Sequence, residues 1–151
     1  MMTLQLDWRL SNFKSLSTSE LYAILRLRSE VFVVEQSSVF LDLDNRDQES
    51  MHLTAWDHEE LVAYARLIPP GNVYEEMSIG RVVSSPAYRK KGAGKQLLEK
   101  SIEQCFELFG KGPIKIGAQL YLQKFYESFG FIQIGAVYDE DGIPHIKMIR
   151  A

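Results

Sequence analysis

Residues 77–95 read Met77-Ser78-Ile79-Gly80-Arg81-Val82-Val83-Ser84-Ser85-Pro86-Ala87-Tyr88-Arg89-Lys90-Lys91-Gly92-Ala93-Gly94-Lys95. A β-rich run stops at Ser85-Pro86, a basic glycine-bearing loop follows, and a helix begins. Residues without side chains let backbone amides converge on an anion, and a helix N-terminus adds its positive dipole end. Two phosphate-binding patterns fail here. A Walker loop needs glycine at 89 and Ser or Thr at 96, where the chain has Arg89 and Gln96. A dinucleotide fingerprint starting at Gly92 needs a small residue at 97, where Leu97 stands. Taken alone, the segment fits a solvated turn as well as a phosphate cradle.

Downstream, Leu97, Leu98, Ile102, Cys105, Phe106 and Phe109 form one apolar stripe, which predicts a helix over 94–109 ended by Gly110 and Gly112-Pro113. A strand over 114–118 and a short helix marked by Leu122, Phe125 and Phe129 come next. Two strands, 131–137 and 145–150, are joined by the turn-forming Asp139-Glu140-Asp141-Gly142. Upstream, 51–69 reads as a hairpin around Asp57-His58-Glu59-Glu60. Ser17 with Glu20 forms a capping box, and Leu16 with Leu21 a hydrophobic staple, so a helix starts there. Its apolar face runs through Ile24, Leu25, Val31 and Phe32, interrupted by Arg28. The pattern is α/β with mixed strand order, and nothing cuts the 151 residues into two domains.

Composition narrows the classes. The net charge of −3 speaks against a general phosphate-backbone binder, so no nucleic-acid partner is expected. No apolar run approaches the eighteen or so residues of a membrane span. Residues 1–13 lack the layout of a signal peptide, and a cytoplasmic location is expected. One cysteine and three histidines are thin material for a metal site, and none is expected. Cys105, mid-stripe on a helix, reads as an inert core thiol.

Arg89-Lys90-Lys91-Gly92-Ala93-Gly94 resembles the pyrophosphate loop of the GNAT acetyltransferases, Arg/Gln-x-x-Gly-x-Gly/Ala, and Val83-Ser84-Ser85-Pro86-Ala87-Tyr88-Arg89 is similar to its approach. Gln119, Leu122, Tyr126 and Gly130-Phe131 resemble the superfamily's Asn-x-x-Ala-x-x-x-Tyr-x-x-x-Gly-Phe, departing from it at the first two positions. Val31-Phe32-Val33-Val34-Glu35-Gln36, Leu41-Asp42-Leu43-Asp44 and Asp141-Gly142-Ile143-Pro144-His145 resemble the ElaA-like group of that superfamily. The resemblance spans nearly the whole chain. It implies a single-domain GNAT fold over 1–151, with a mixed, mostly antiparallel sheet flanked by helices and splayed central strands holding acyl-CoA.

The resemblance also implies an N-acetyltransferase that uses acetyl-CoA as co-substrate and passes acetyl to a primary amine by direct attack. The acceptor is a small molecule or peptide, and a homodimer is allowed. Arg89, Lys90, Lys91, Gly92, Ala93, Gly94 and Lys95 would hold the phosphates, with Gln119 also on the cofactor. The pantetheine arm would lie along Val82, Val83 and Ser84 as an added strand, the oxyanion near the Val82 amide, and Tyr126 would be the general acid for the thiolate. Ser78-Ile79-Gly80-Arg81 carries no carboxylate, so the base falls to Glu35, Asp44, His52 or a water; His52 and His145 are each a base candidate that reads equally as structural. Arg28 either snorkels to solvent or lines an acceptor pocket with Glu35, Asp42 or Asp44. Two rival readings are a coenzyme A-binding sensor without turnover and, from Arg28-x-x-Val31-Phe32, an acyl-homoserine-lactone synthase-like enzyme.

Overall fold

Alternating polar and apolar residues at Asp7–Asn12 make β1, a strand that the expected elements above do not include. It pairs antiparallel with β2 (Met51–Asp57), setting Trp8 opposite Ala55 and Leu10 opposite Leu53. β2 pairs with β3 (Glu60–Ile68) through the expected hairpin, and β3 pairs with β4 (Ser78–Ser84). A second sheet runs β5 (Ile114–Gln119), β7 (Ile143–Arg150), β6 (Ile132–Glu140), all antiparallel. The computed structural model describes residues 4–151.

The two sheets touch through one parallel bridge, Met77 to Ile114, where the Lys115 amide donates to the Met77 carbonyl at 3.0 Å. Past that point β4 and β5 diverge. Antiparallel sheets flanked by helices, with splayed central strands, are the arrangement the resemblance implies.

The helices follow the sequence closely. α1 (Thr18–Arg28) begins at the reciprocal capping box, Glu20 N to Ser17 Oγ at 3.0 Å and Ser17 N to Glu20 Oε1 at 2.8 Å. It does not continue as an α-helix through Phe32. Residues Ser29–Glu35 rewind as a π-helix, whose wider spacing shows in Gln36 N to Val31 O (3.1 Å) and Ser38 N to Val33 O (3.1 Å). α2 (Ala93–Phe109) buries Leu97, Leu98 and Cys105 against both sheets, and burial pushes the Cys105 thiol up to about 12. α3 (Gln123–Glu127) is one short turn more. β6 and β7 are joined by Asp141 and Gly142, both at positive φ, as a tight hairpin with the sheet's twist requires. Among the described residues no helix is long and apolar enough to cross a membrane.

Candidate active site

The divergence of β4 and β5 opens a cavity of about 1210 Å³, more than the range usual for drug-sized ligands. One wall is β4 from Ile79 to Ser84. The other is Gly117, Ala118 and Gln119 of β5 with Leu122, Phe125 and Tyr126 behind it. Val31, Phe32 and Glu35 of the π-helix and Glu140 and Asp141 at the turn between β6 and β7 also line the cavity.

The basic loop forms the near end. Lys90 and Gly92 both take positive φ (65° and 86°), which curls the chain into the start of α2. The first backbone bond of that helix runs from Gln96 N to Gly92 O, so the amides of Ala93, Gly94 and Lys95 have no partner within the helix. No acidic residue sits in its first turn. Arg89, Lys90, Gly92, Ala93, Gly94 and Lys95 line the cavity. Lys91 does not: its ammonium lies 5.5 Å from the centre of the Tyr88 ring, and the expected phosphate role for this side chain is corrected.

β4 is irregular where it borders the cavity. Tyr64 pairs with Val83 and Arg66 with Gly80, so Ala65 faces both Arg81 and Val82, a β-bulge. Arg81 sits at φ 51°, a strained value for a side-chain-bearing residue, and is held there from outside. Its Nε donates to Asp42 Oδ1 and its Nη2 to the Asp42 carbonyl, both at 2.8 Å. A bulge breaks the ladder's regular exchange of hydrogen bonds, so this is where a strand amide can turn to a ligand.

Arg81 is the outermost member of a buried lattice. Arg28, wholly buried, gives Nε to Asp42 Oδ2 and Nη1 to Asp47 Oδ1, both at 2.8 Å. Arg66 grips Asp44 through two nitrogens (2.8 and 2.7 Å) and reaches Asp47 at 3.0 Å. Burial opposes the charges of Asp44 and Asp47, yet the guanidinium of Arg66 on one and of Arg28 on the other win, holding both carboxyls below their ordinary range. The expected pairing of Arg28 with Asp42 is present, while its snorkelling and its placement in an acceptor pocket are corrected. It neither snorkels nor lines the cavity, and Asp42 is buried with it; they brace the 38–50 segment against α1, β3 and β4. Of this expected acceptor set Asp44 and Glu35 reach the cavity, Asp44 with both oxygens engaged.

The expected base at His52 is corrected too. It is buried behind the lattice, with Nδ1 2.6 Å from the Tyr64 hydroxyl and Nε2 2.8 Å from the Asp47 carbonyl. A carbonyl only accepts, so Nε2 carries the hydrogen and Nδ1 takes the phenol's. Burial lowers its pKa, and neither nitrogen is free. Glu35 does line the cavity, but Arg89 holds both its oxygens at 2.6 Å and keeps the carboxyl below its usual range.

Val82, Val83, Ser84, Gln119 and Tyr126 all face the cavity. Gln119 exchanges side-chain hydrogen bonds with Gln36 at 3.0 and 3.1 Å. Tyr126, 6% exposed, stands edge-on to Phe125 and Phe131, and burial pushes its phenol above the usual range. Sequence reasoning missed Gln36, Arg81 and Glu140 in the cavity wall and named His145 only as a base candidate that could equally be structural. For the last two the Asp-Gly turn was the available signal, since it fixes which residues of β6 and β7 flank the cleft.

Comparison with known proteins follows the same lines. The acetyltransferase (GNAT) domain matches residues 19–151, and the chain belongs to that family. Within it the likeness is to the ElaA-like proteins: Escherichia coli ElaA is 45% identical over 147 residues, 96% of each chain, and its crystal structure superposes with a TM-score of 0.91. An acyl-CoA N-acyltransferase from Pseudomonas aeruginosa is 43% identical over 97% of this chain and all of its own, with a TM-score of 0.93. An aminoglycoside 6'-N-acetyltransferase in complex with coenzyme A, 18% identical, shares the fold over 94% of this chain and 96% of its own at a TM-score of 0.70.

Proposed function

We propose that the chain, residues 1–151, is one N-acetyltransferase domain that takes acetyl-CoA as co-substrate and moves the acetyl group to a primary amine by direct attack. The observation that carries this reading is the cavity itself: a long cleft between diverging strands with an uncompensated basic helix start at one end and a buried phenol in its wall. The naming of the Pseudomonas relative as an acyl-CoA N-acyltransferase supports it.

In this reading the amides of Ala93, Gly94 and Lys95, with Arg89, Lys90 and Lys95 side chains, bind the pyrophosphate. The pantetheine amides pair with the cavity edge of β4 over Val82, Val83 and Ser84, as an added strand does. The bulge at Arg81 and Val82 puts an amide beside the thioester oxygen, where negative charge develops. Tyr126 protonates the departing thiolate; its burial keeps the phenol protonated until then.

Acetyl-CoA and a panel of diamines, amino sugars, amino-acid amides and lysyl peptides test the reading. Coenzyme A release above hydrolysis should coincide with an acetylated product by mass spectrometry for at least one class. Thioester consumption that never exceeds hydrolysis, with no acetylated amine, would overturn it.

A further inference from the structure

An acceptor amine reaches the enzyme mostly as an ammonium: with a pKa near 10.4, only about one part in a thousand is free amine at neutral pH. A group in the cleft must take that proton. Among the described histidines, His52 has both nitrogens bonded and His58 is exposed on the β2–β3 turn. His145 is the one that lines the cavity.

Its surroundings fix its chemistry. β5 and β7 pair with Gln119 directly opposite His145, so the two side chains share a face with Cβ atoms about 5 Å apart. His145 Nδ1 lies 2.7 Å from the Ile143 carbonyl, which can only accept, so Nδ1 carries the hydrogen. In the neutral ring the lone pair is then on Nε2. That atom lies 3.4 Å from Glu140 Oε2, an acceptor facing an acceptor across a gap on the cavity wall. The ring also packs on Tyr138 at 5.8 Å, with the Lys147 ammonium over that tyrosine at 4.7 Å, and Ser38 Oγ anchors the adjoining turn through the Asp141 carbonyl at 2.7 Å. The groups facing His145 are thus Glu140 and Tyr138 of β6, Asp141 of the turn, Gln119 of β5 and, behind Tyr138, Lys147.

We propose that His145 Nε2 is the general base that deprotonates the acceptor ammonium, and that Glu140 docks that ammonium beside it. The inference rests on the acetyltransferase reading above. A primary ammonium has three donors and can bridge Nε2 and Oε2 at once. It gives one proton to Nε2, and the imidazolium so formed is paired by Glu140. The freed lone pair attacks the thioester carbonyl carbon. As the C–S bond breaks, Tyr126 protonates the sulfur and the new amide nitrogen loses its second proton, which restores the phenol through solvent. The imidazolium returns its proton to water.

The test uses the amine that the wild-type protein acetylates fastest in the panel. His145→Gln should lower kcat/KM at pH 7 by at least 10²-fold while acetyl-CoA affinity, by calorimetry, stays within twofold. The deficit should shrink as pH rises, because free amine increases about tenfold per pH unit below the amine's own pKa; a merely structural defect would not recover. Glu140→Gln, a change at an exposed side chain, should raise the amine KM more than it lowers kcat. Imidazole ¹⁵N NMR on the wild-type protein, assigned with His145→Gln, should show the Nδ1–H tautomer at alkaline pH. A pH 7 rate for His145→Gln within threefold of wild type, or an Nε2–H tautomer, overturns the base while leaving the acetyltransferase reading intact. Wild-type protein that acetylates no amine overturns both.

Discussion

Two groups of charges meet in the wall of one cleft and behave in opposite ways. Arg28, Arg66 and Arg81 interlock with Asp42, Asp44 and Asp47, nearly every polar atom bonded, with Arg28, Arg66, Asp42 and Asp47 buried. Lys90 and Lys95, by contrast, pair with no carboxylate among the described residues, and the loop that carries them is exposed. The first group is closed on itself and holds shape. The second is incomplete: its loop opens a helix with no acid in its first turn, and in the proposed reading the phosphates of the co-substrate complete it. Charge near a cavity is thus informative only when its partners are counted.

The largest effect expected from this contrast is on stability. Arg28→Met preserves the apolar stem but leaves Asp42 and Asp47 buried with fewer partners, which should cost about 3–5 kcal/mol in equilibrium unfolding. Acid should act on the same lattice. Asp44 and Asp47 have folded pKa values below the unfolded one near 3.9, so their contribution is complete above that value and is lost as pH falls through the folded values. Wild-type stability should therefore drop below about pH 4, and Arg28→Met should drop less steeply. A loss under 1 kcal/mol in the variant would mean that the lattice is not what braces the 38–50 segment.

How much of this was legible follows from the range of the interactions. The capping box of α1, the stripe of α2 and the strand–loop–helix of 77–95 are written in residues a few positions apart, and the structure returns them with small shifts. The lattice joins residues 14 to 39 positions apart across an irregular loop with no periodicity, so Asp42 could be named only as one of three candidate partners of Arg28, and Asp47, Arg66 and Arg81 were not assigned to it. The π-helix changes the winding without a change of composition, which is why Val31 could not be placed on the cleft. His145 depends on the register of β7 against β5, set by the whole second sheet.

Next in size is the phenol in the wall between the two groups. Tyr126→Phe keeps the ring against Phe125 and Phe131, so the fold should survive. Turnover should fall by about 10²–10⁴-fold with acetyl-CoA affinity nearly unchanged. A fall of only a few-fold with an efficient acceptor would return Tyr126 to a packing role and leave sulfur protonation to water or the amine.

A smaller effect sharpens the case for the open group. Gly92 is a poor probe, because its φ of 86° strains any replacement. Gly94 is a better one: a Cβ there would rest an ordinary 3.9 Å from Phe125 Cζ, so the fold tolerates a side chain. Gly94→Glu then places bulk and negative charge where the phosphates are expected. Acetyl-CoA should bind at least tenfold more weakly, about 1.4 kcal/mol, by calorimetry. Unchanged affinity in the folded variant would sink the phosphate assignment.

The smallest expected effect lies where closed and open charges touch. Arg89 is the one cation of the loop already paired, by Glu35 at the end of the π-helix, and the bond is bidentate. If the loop is built for phosphate, Glu35 competes with the ligand for Arg89 and adds a like charge beside it. Glu35→Gln removes the competitor without removing bulk, so acetyl-CoA affinity should rise. Both side chains are about two-fifths exposed, at 38% and 42%, and such pairs contribute only about 0.2–1 kcal/mol. The gain should therefore be about 1.5- to 5-fold and should fade as salt screens the pair. Binding isotherms at low and high ionic strength decide it. Weaker binding in Glu35→Gln would mean the opposite arrangement, in which Glu35 positions Arg89 for the ligand and the pair belongs with the structural charges.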